Sequence, residues 1–65
     1  MKYNNIEIND KVFVRMPPRY EGIVSSIIDD KKNKKTLLIL RDVPEGAPCR
    51  VDIEDCTLIE RGRVD

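Results

Sequence analysis

The run Lys11-Val12-Phe13-Val14-Arg15-Met16 decides the fold, together with Glu21-Gly22-Ile23-Val24-Ser25-Ser26-Ile27-Ile28 and Thr36-Leu37-Leu38-Ile39-Leu40-Arg41. Two shorter runs follow, Cys49-Arg50-Val51-Asp52-Ile53 and Thr57-Leu58-Ile59. Each is strand length, and none keeps a helical period long enough to make a helix. In the first run, alternation puts Val12, Val14 and Met16 on one side and Lys11, Phe13 and Arg15 on the other. The apolar trio belongs to a core. Phe13 therefore turns outward between two cations.

Outside that run, Pro17-Pro18 ends the strand, because neither residue can donate to a ladder. Gly22 marks a sharp bend or bulge in the second strand. Val24 and Ile27 face inward together only if the alternation slips once between them, which a bulge near Ser25-Ser26 provides. Residues 29–35, Asp-Asp-Lys-Lys-Asn-Lys-Lys, form a polar hairpin tip. Residues 36–41 are apolar on both faces, as a central strand covered on both sides is. Pro44-Glu45-Gly46 suits a turn whose later position takes positive φ. Cys49, Val51 and Ile53 alternate with Arg50 and Asp52, and Glu54-Asp55-Cys56 fits one 3₁₀ turn. The expected fold is all-β: a single five-stranded barrel over residues 11–60, with a 3₁₀ turn before the last strand. Residues 1–10 are expected as an extended lead-in, in which Ile6 and Ile8 share one face and Asn9-Asp10 turns the chain. Residues 61–65 are expected as a frayed polar tail.

With 65 residues the chain is one domain, near the lower limit for folding without staples. Its thin core leaves little room for a ligand cavity of about 300 Å³ or more, which disfavours a self-contained enzyme. Twelve basic residues balance twelve acidic ones, so no global basic excess points to nucleic acid. The charges are unevenly placed: eight basic and five acidic residues fall in 1–35, four and seven in 36–65. No apolar leader or membrane-span-length run occurs, so the expected location is the cytosol and no membrane partner is expected. Cys49 and Cys56 are expected as reduced, small buried residues. Without His and without a Cys-x-x-Cys pair, no metal or other cofactor is expected.

Three segments together resemble an SH3-like barrel of the KOW and Tudor-like kind. Asp10-Lys11-Val12-Phe13-Val14-Arg15 is similar to the run that opens such barrels, although Asn9 stands where a leading Gly is usual. Tyr20-Glu21-Gly22-Ile23-Val24 with Ile27 resembles the Gly-x-Val-x-x-Ile segment of KOW motifs. Residues 51–59 look like the fourth strand, 3₁₀ turn and fifth strand of that fold. The resemblance covers about 50 residues and implies a binding module. The Val-Gln-Ile-Tyr motif of the plasmid-type dihydrofolate reductases, which share the barrel, is absent: Arg50-Val51-Asp52-Ile53 stands there. Three aromatics, Tyr3, Phe13 and Tyr20, are too few for a Tudor-type aromatic cage.

An outward aromatic among cations suits a protein interface, where aromatics and Arg dominate binding. The expected docking surface is therefore Phe13, Arg15, Arg19 and Tyr20, on the outer face of the first strand and the following turn, with a protein partner. The alternative is an RNA or single-stranded DNA module, with Phe13 as a stacking platform and Lys11, Lys31, Lys32, Lys34 and Lys35 as phosphate contacts. A structural role for Phe13, packed beneath Ile6 or Ile8, also fits. Asp52, Glu54 and Asp55 are the densest carboxylate group, yet no base–nucleophile pair accompanies them. A third reading is an oligomeric enzyme whose site forms between chains. Oligomeric state and partner identity stay open at this level.

Overall fold

A computed structural model describes residues 6–62 of the chain. Tyr3 lies outside the described residues. Five strands form one antiparallel sheet: β1 (Lys11–Val14), β2 (Tyr20–Asp30), β3 (Lys35–Arg41), β4 (Arg50–Asp52) and β5 (Cys56–Glu60), with a 3₁₀ turn, Ile53–Asp55, between the last two. The spatial order is β4-β3-β2-β1-β5, so β4 and β5 are its edges and the sheet is not closed into a barrel by hydrogen bonds. The central strand is β2 rather than β3. Its first half pairs with β1 from Tyr20 to Ile23, and the rest pairs with β3 through Asp30.

The change of partner is where the sheet bends. The β2–β3 register slips between Val24 and Ser26, so Ser25 is the extra residue of a bulge, as the alternation required. The slip puts Val24 opposite Leu40 and Ile27 opposite Leu38, on one face. Gly22 is not the bulge. It is buried, and a Cβ there would lie 2.8 Å from Val43 Cγ1, so its role is close packing.

The core gathers Val12, Val14, Val24, Leu38 and Leu40 with Ile6, Tyr20, Ile53 and Cys56, and Val51 packs against it. Burying each large apolar side chain contributes about 1.5–3 kcal/mol, which so short a chain needs from nearly every inward position. Met16 is not among them. It is 55% exposed, because β1 ends at Val14 and the Arg15 N–H donates to the Asp55 carbonyl at 2.8 Å. The outer face of β3 is only partly covered, with Leu37 and Ile39 half-buried. Cys49 is exposed, just before the short β4, whereas Cys56 is buried.

Both described ends are stitched to the body. Ile6 is in the core, Ile8 is exposed, and the two share no strand. The Asn9 N–H donates to the Val24 carbonyl at 2.7 Å, and the Val24 N–H donates to the Asp10 carbonyl at 2.9 Å. Arg61 and Gly62 do not fray, since both donate to the Asp10 carboxylate. Between β3 and β4, the Ala47 N–H donates to the Pro44 carbonyl at 3.0 Å with Gly46 at φ 86°, a turn whose third position favours glycine.

Candidate functional site

The seam between the β1–β2 proline turn and β4, which the 3₁₀ turn adjoins, carries a cleft of about 230 Å³. Met16, Pro17 and Pro18 make one wall, and Pro48 and Val51 stand on the other. Tyr20 forms the floor. Chain chemistry explains the wall: with Arg15 drawn to Asp55, the next three residues leave the ladder, and two of them have no N–H to return with. The Pro17-Pro18 bond is cis. Asp52 and Asp55 put carboxylates at one end of the cleft, with Arg50 beside them.

Tyr20 is part of the scaffold rather than of an exposed docking face. It is 7% exposed, and its hydroxyl donates to the Pro48 carbonyl at 2.6 Å, tying the start of β2 to the β3–β4 connection. Burial raises its pKa above the ordinary 10.0, and the neighbouring Cys56 and Cys49 thiols add to that rise. Arg15 is exposed but engaged. Its guanidinium donates to the Glu54 carbonyl and, at 3.4 Å, to the Asp55 carbonyl, holding the 3₁₀ turn against the end of β1. Asp52 caps that turn from the other side, accepting from the Glu54 N–H at 2.9 Å.

Phe13 lies half-buried on the outer face, opposite Glu21 of β2 and Thr57 of β5. Alternation puts Tyr20 on the other face, so the four residues expected to form one docking surface are not brought together. Arg19 is exposed beyond the proline turn, beside a wide shallow hollow with Lys11, Glu21 and Asp42. Charges of both signs meet there, and Lys11 pairs with Glu21 at 3.6 Å.

Lys31, Lys32, Lys34 and Lys35 are exposed at the β2–β3 turn. Asp30 shapes that turn by accepting from Asn33 Nδ2 at 2.8 Å and from the Asn33 N–H at 3.3 Å. Those hydrogen bonds, the side-chain one first, hold its carboxyl below the usual range. The tip is remote from Phe13: Glu21 faces Phe13, and the nine residues from there to Asp30 span roughly 20 Å or more. A stacking ring and a lysine cluster are thus present without forming one nucleic-acid face.

Among the described residues, no group of three or more His, Cys, Asp or Glu side chains is placed to hold a metal ion. No helix among them is long and apolar enough to cross a membrane. Two features carried no sequence signal strong enough to find: the exposed Met16 and the buried Asp10. Asp10 reads as an ordinary turn residue after Asn9, and its partners lie at the far end of the chain. Comparison with known proteins gives no match: no family model fits the chain, and no curated protein or solved structure matches it.

Proposed function

We propose that this chain is a small, non-enzymatic SH3-like binding module, working in the cytosol, that docks onto a protein partner through the seam cleft. The supporting observation is Met16, a large apolar side chain 55% exposed on a proline wall, above a tyrosine whose hydroxyl is already satisfied. Such a surface offers apolar contact without a desolvation cost at its floor. The docking residues differ accordingly from those expected from the sequence. Met16, Pro17, Pro18 and Pro48 make the contact, Arg15 and Tyr20 hold it in shape, and Arg19 and Phe13 lie outside the cleft. Two free cysteines, one of them exposed, suit a reducing compartment.

A photo-crosslinking side chain at Met16, with another at exposed Ile8 as control, tests this in the native host after nuclease treatment. A discrete protein adduct from position 16, absent from position 8 and competed by wild-type chain, supports the reading. Equal adducts from both positions, or none, overturn it. The four exposed lysines at the β2–β3 turn favour a second reading, RNA or single-stranded DNA binding. That reading requires retention on single-stranded nucleic acid that falls steeply with salt and disappears when the four lysines become Gln.

A further inference from the structure

A strand can be central at one end and an edge at the other. Among the described residues, only residues 20–23 of β2 pair with β1, so residues 26–30 face no described strand on that side. Which backbone groups point there follows from the neighbouring ladder. The Leu40 N–H donates to the Cys49 carbonyl, in the same register that pairs Leu38 with Val51. Leu38 and Leu40 therefore direct their polar groups to β4, and Leu37 and Ile39 direct theirs to β2. Their partners Ile28 and Ser26 are satisfied by β3. Ile27 and Asp29, the residues between and beyond, point N–H and C=O to the open side.

This edge is less guarded than the other two, its charges being confined to Asp29 and Asp30 at the tip end. β4 is three residues long and carries Arg50 and Asp52, and β5 is interrupted by a register shift against β1. Residues 26–28, by contrast, are Ser-Ile-Ile, with Ile27 37% and Ile28 40% exposed. No proline, lysine or bulge interrupts the edge between Ser26 and Asp30.

We infer that the chain self-associates by antiparallel pairing of β2 with β2 of a second copy, about a two-fold axis at Ile28. The two residues with free backbone groups sit one on each side of Ile28, as a two-fold requires. In this register Ile27 pairs with the partner's Asp29 and Asp29 with the partner's Ile27, so four hydrogen bonds form. A register one step toward the tip sets Asp29 against its own copy, with like charges opposite. A step the other way brings the bulge residue Ser25 into the ladder. On the outer face, Leu37 and Ile28 would continue into the partner's Ile28 and Leu37 as one apolar stripe, since Ile28 is paired with Leu37 within the chain. Net charge is zero, so no bulk repulsion opposes two copies.

The interface is small, so dissociation is expected in the range of about 10 µM to 1 mM. Sedimentation equilibrium across that range should show a monomer becoming a dimer. Hydrogen exchange at the Ile27 and Asp29 amides should slow with rising concentration, by about twofold at the weak end of that range and about tenfold at the tight end. Ile27→Pro removes an N–H that β3 does not use, so it should leave a folded monomer at every concentration. In a Cys49→Ser background, Ile28→Cys should form a covalent dimer under mild oxidation and Ile27→Cys should not, because only Ile28 lies opposite itself within disulfide reach. If Ile27→Pro fails to fold, the cysteine pair decides. A wild-type chain that stays monomeric throughout overturns the inference. So does exchange protection independent of concentration, as an edge covered by the chain's own N-terminal residues would give. A dimer that survives Ile27→Pro, or that Ile28→Cys fails to link, also overturns it.

Discussion

The Asp10 carboxylate, 1% exposed, accepts from the Arg61 guanidinium at 2.9 Å across 51 residues of chain. The same carboxylate accepts from the Gly62 N–H at 2.8 Å and the Glu7 N–H at 2.8 Å. One side chain thus binds the turn before β1 to the segment after β5, continuing the β1–β5 contact past its last pair, Lys11 with Glu60. That clasp fixes the two ends of the described segment to each other.

Replacing Asp10 with Ala orphans two backbone donors, each costing about 1–3 kcal/mol when buried, and removes one partner of Arg61, which also pairs with Glu7. The expected loss is about 2–4 kcal/mol, read as a lower urea midpoint with unchanged slope. Arg61→Ala should cost only about 1 kcal/mol, because its side chain is half-exposed and the carboxylate keeps both backbone donors. Equal losses for the two variants would show that the ion pair, not the backbone clasp, carries the stability.

Gly62 meets the same turn at closer range. A Cβ there would run into the carbonyl oxygen of Asn9, a backbone atom with no rotamer to yield. Gly62→Ala should therefore destabilise by about 1–3 kcal/mol, as overpacking does. Gly46→Ala has open space around it, so its loss of about 1 kcal/mol should reflect only the φ of 86°. Thermal unfolding of the two variants separates close approach from backbone conformation.

What was legible in the sequence was local. Val12, Val14, Leu38 and Leu40 announced their faces by alternation, and the slip at Ser25 followed from requiring Val24 and Ile27 on one side. Turn chemistry placed Gly46, and Glu54-Asp55 placed the 3₁₀ turn to within a residue. What was hidden depended on distant partners. Met16 continues an apolar alternation, yet the strand stops because Asp55, 40 residues away, takes the Arg15 N–H. Tyr20 reads as an exposed aromatic beside Arg19 until the Pro48 carbonyl, 28 residues on, accepts its hydroxyl. Tyr20 is thereby drawn off the face that carries Phe13, which is why the proposed contact moves to the seam cleft.

Alkaline pH should weaken the fold through Cys56. Burial pushes its thiol up to about 11 from the ordinary 9.0, with Asp55 adding to the rise. Between those values the unfolded chain releases the proton while the folded chain keeps it. Stability is therefore intact below about pH 9 and falls as pH rises toward 11, by about 3 kcal/mol at most. Tyr20, also raised by burial, acts in the same direction above pH 10. Urea midpoints at pH 8 and pH 10.5 should separate less in Cys56→Ala than in wild type. Cys49→Ser, which changes an exposed thiol, should keep the wild-type difference.

The seam cleft makes a demand that separates a docking surface from a structural one. Met16 is exposed and caps no hydrogen bond, so Met16→Asp should change stability by no more than about 0.5 kcal/mol. Tyr20→Phe removes the donor to the Pro48 carbonyl and should cost about 1 kcal/mol. Arg15→Ala frees the 3₁₀ turn carbonyls and should cost about as much, despite its exposure. If partner capture is then measured at equal folded fraction, Met16→Asp should abolish it and Arg15→Ala should reduce it only in proportion to any loosening of the turn. A Met16→Asp chain that keeps full capture while Arg15→Ala loses it would return the contact to the outer face of β1, and the proline wall would be no more than the route by which β1 reaches β2.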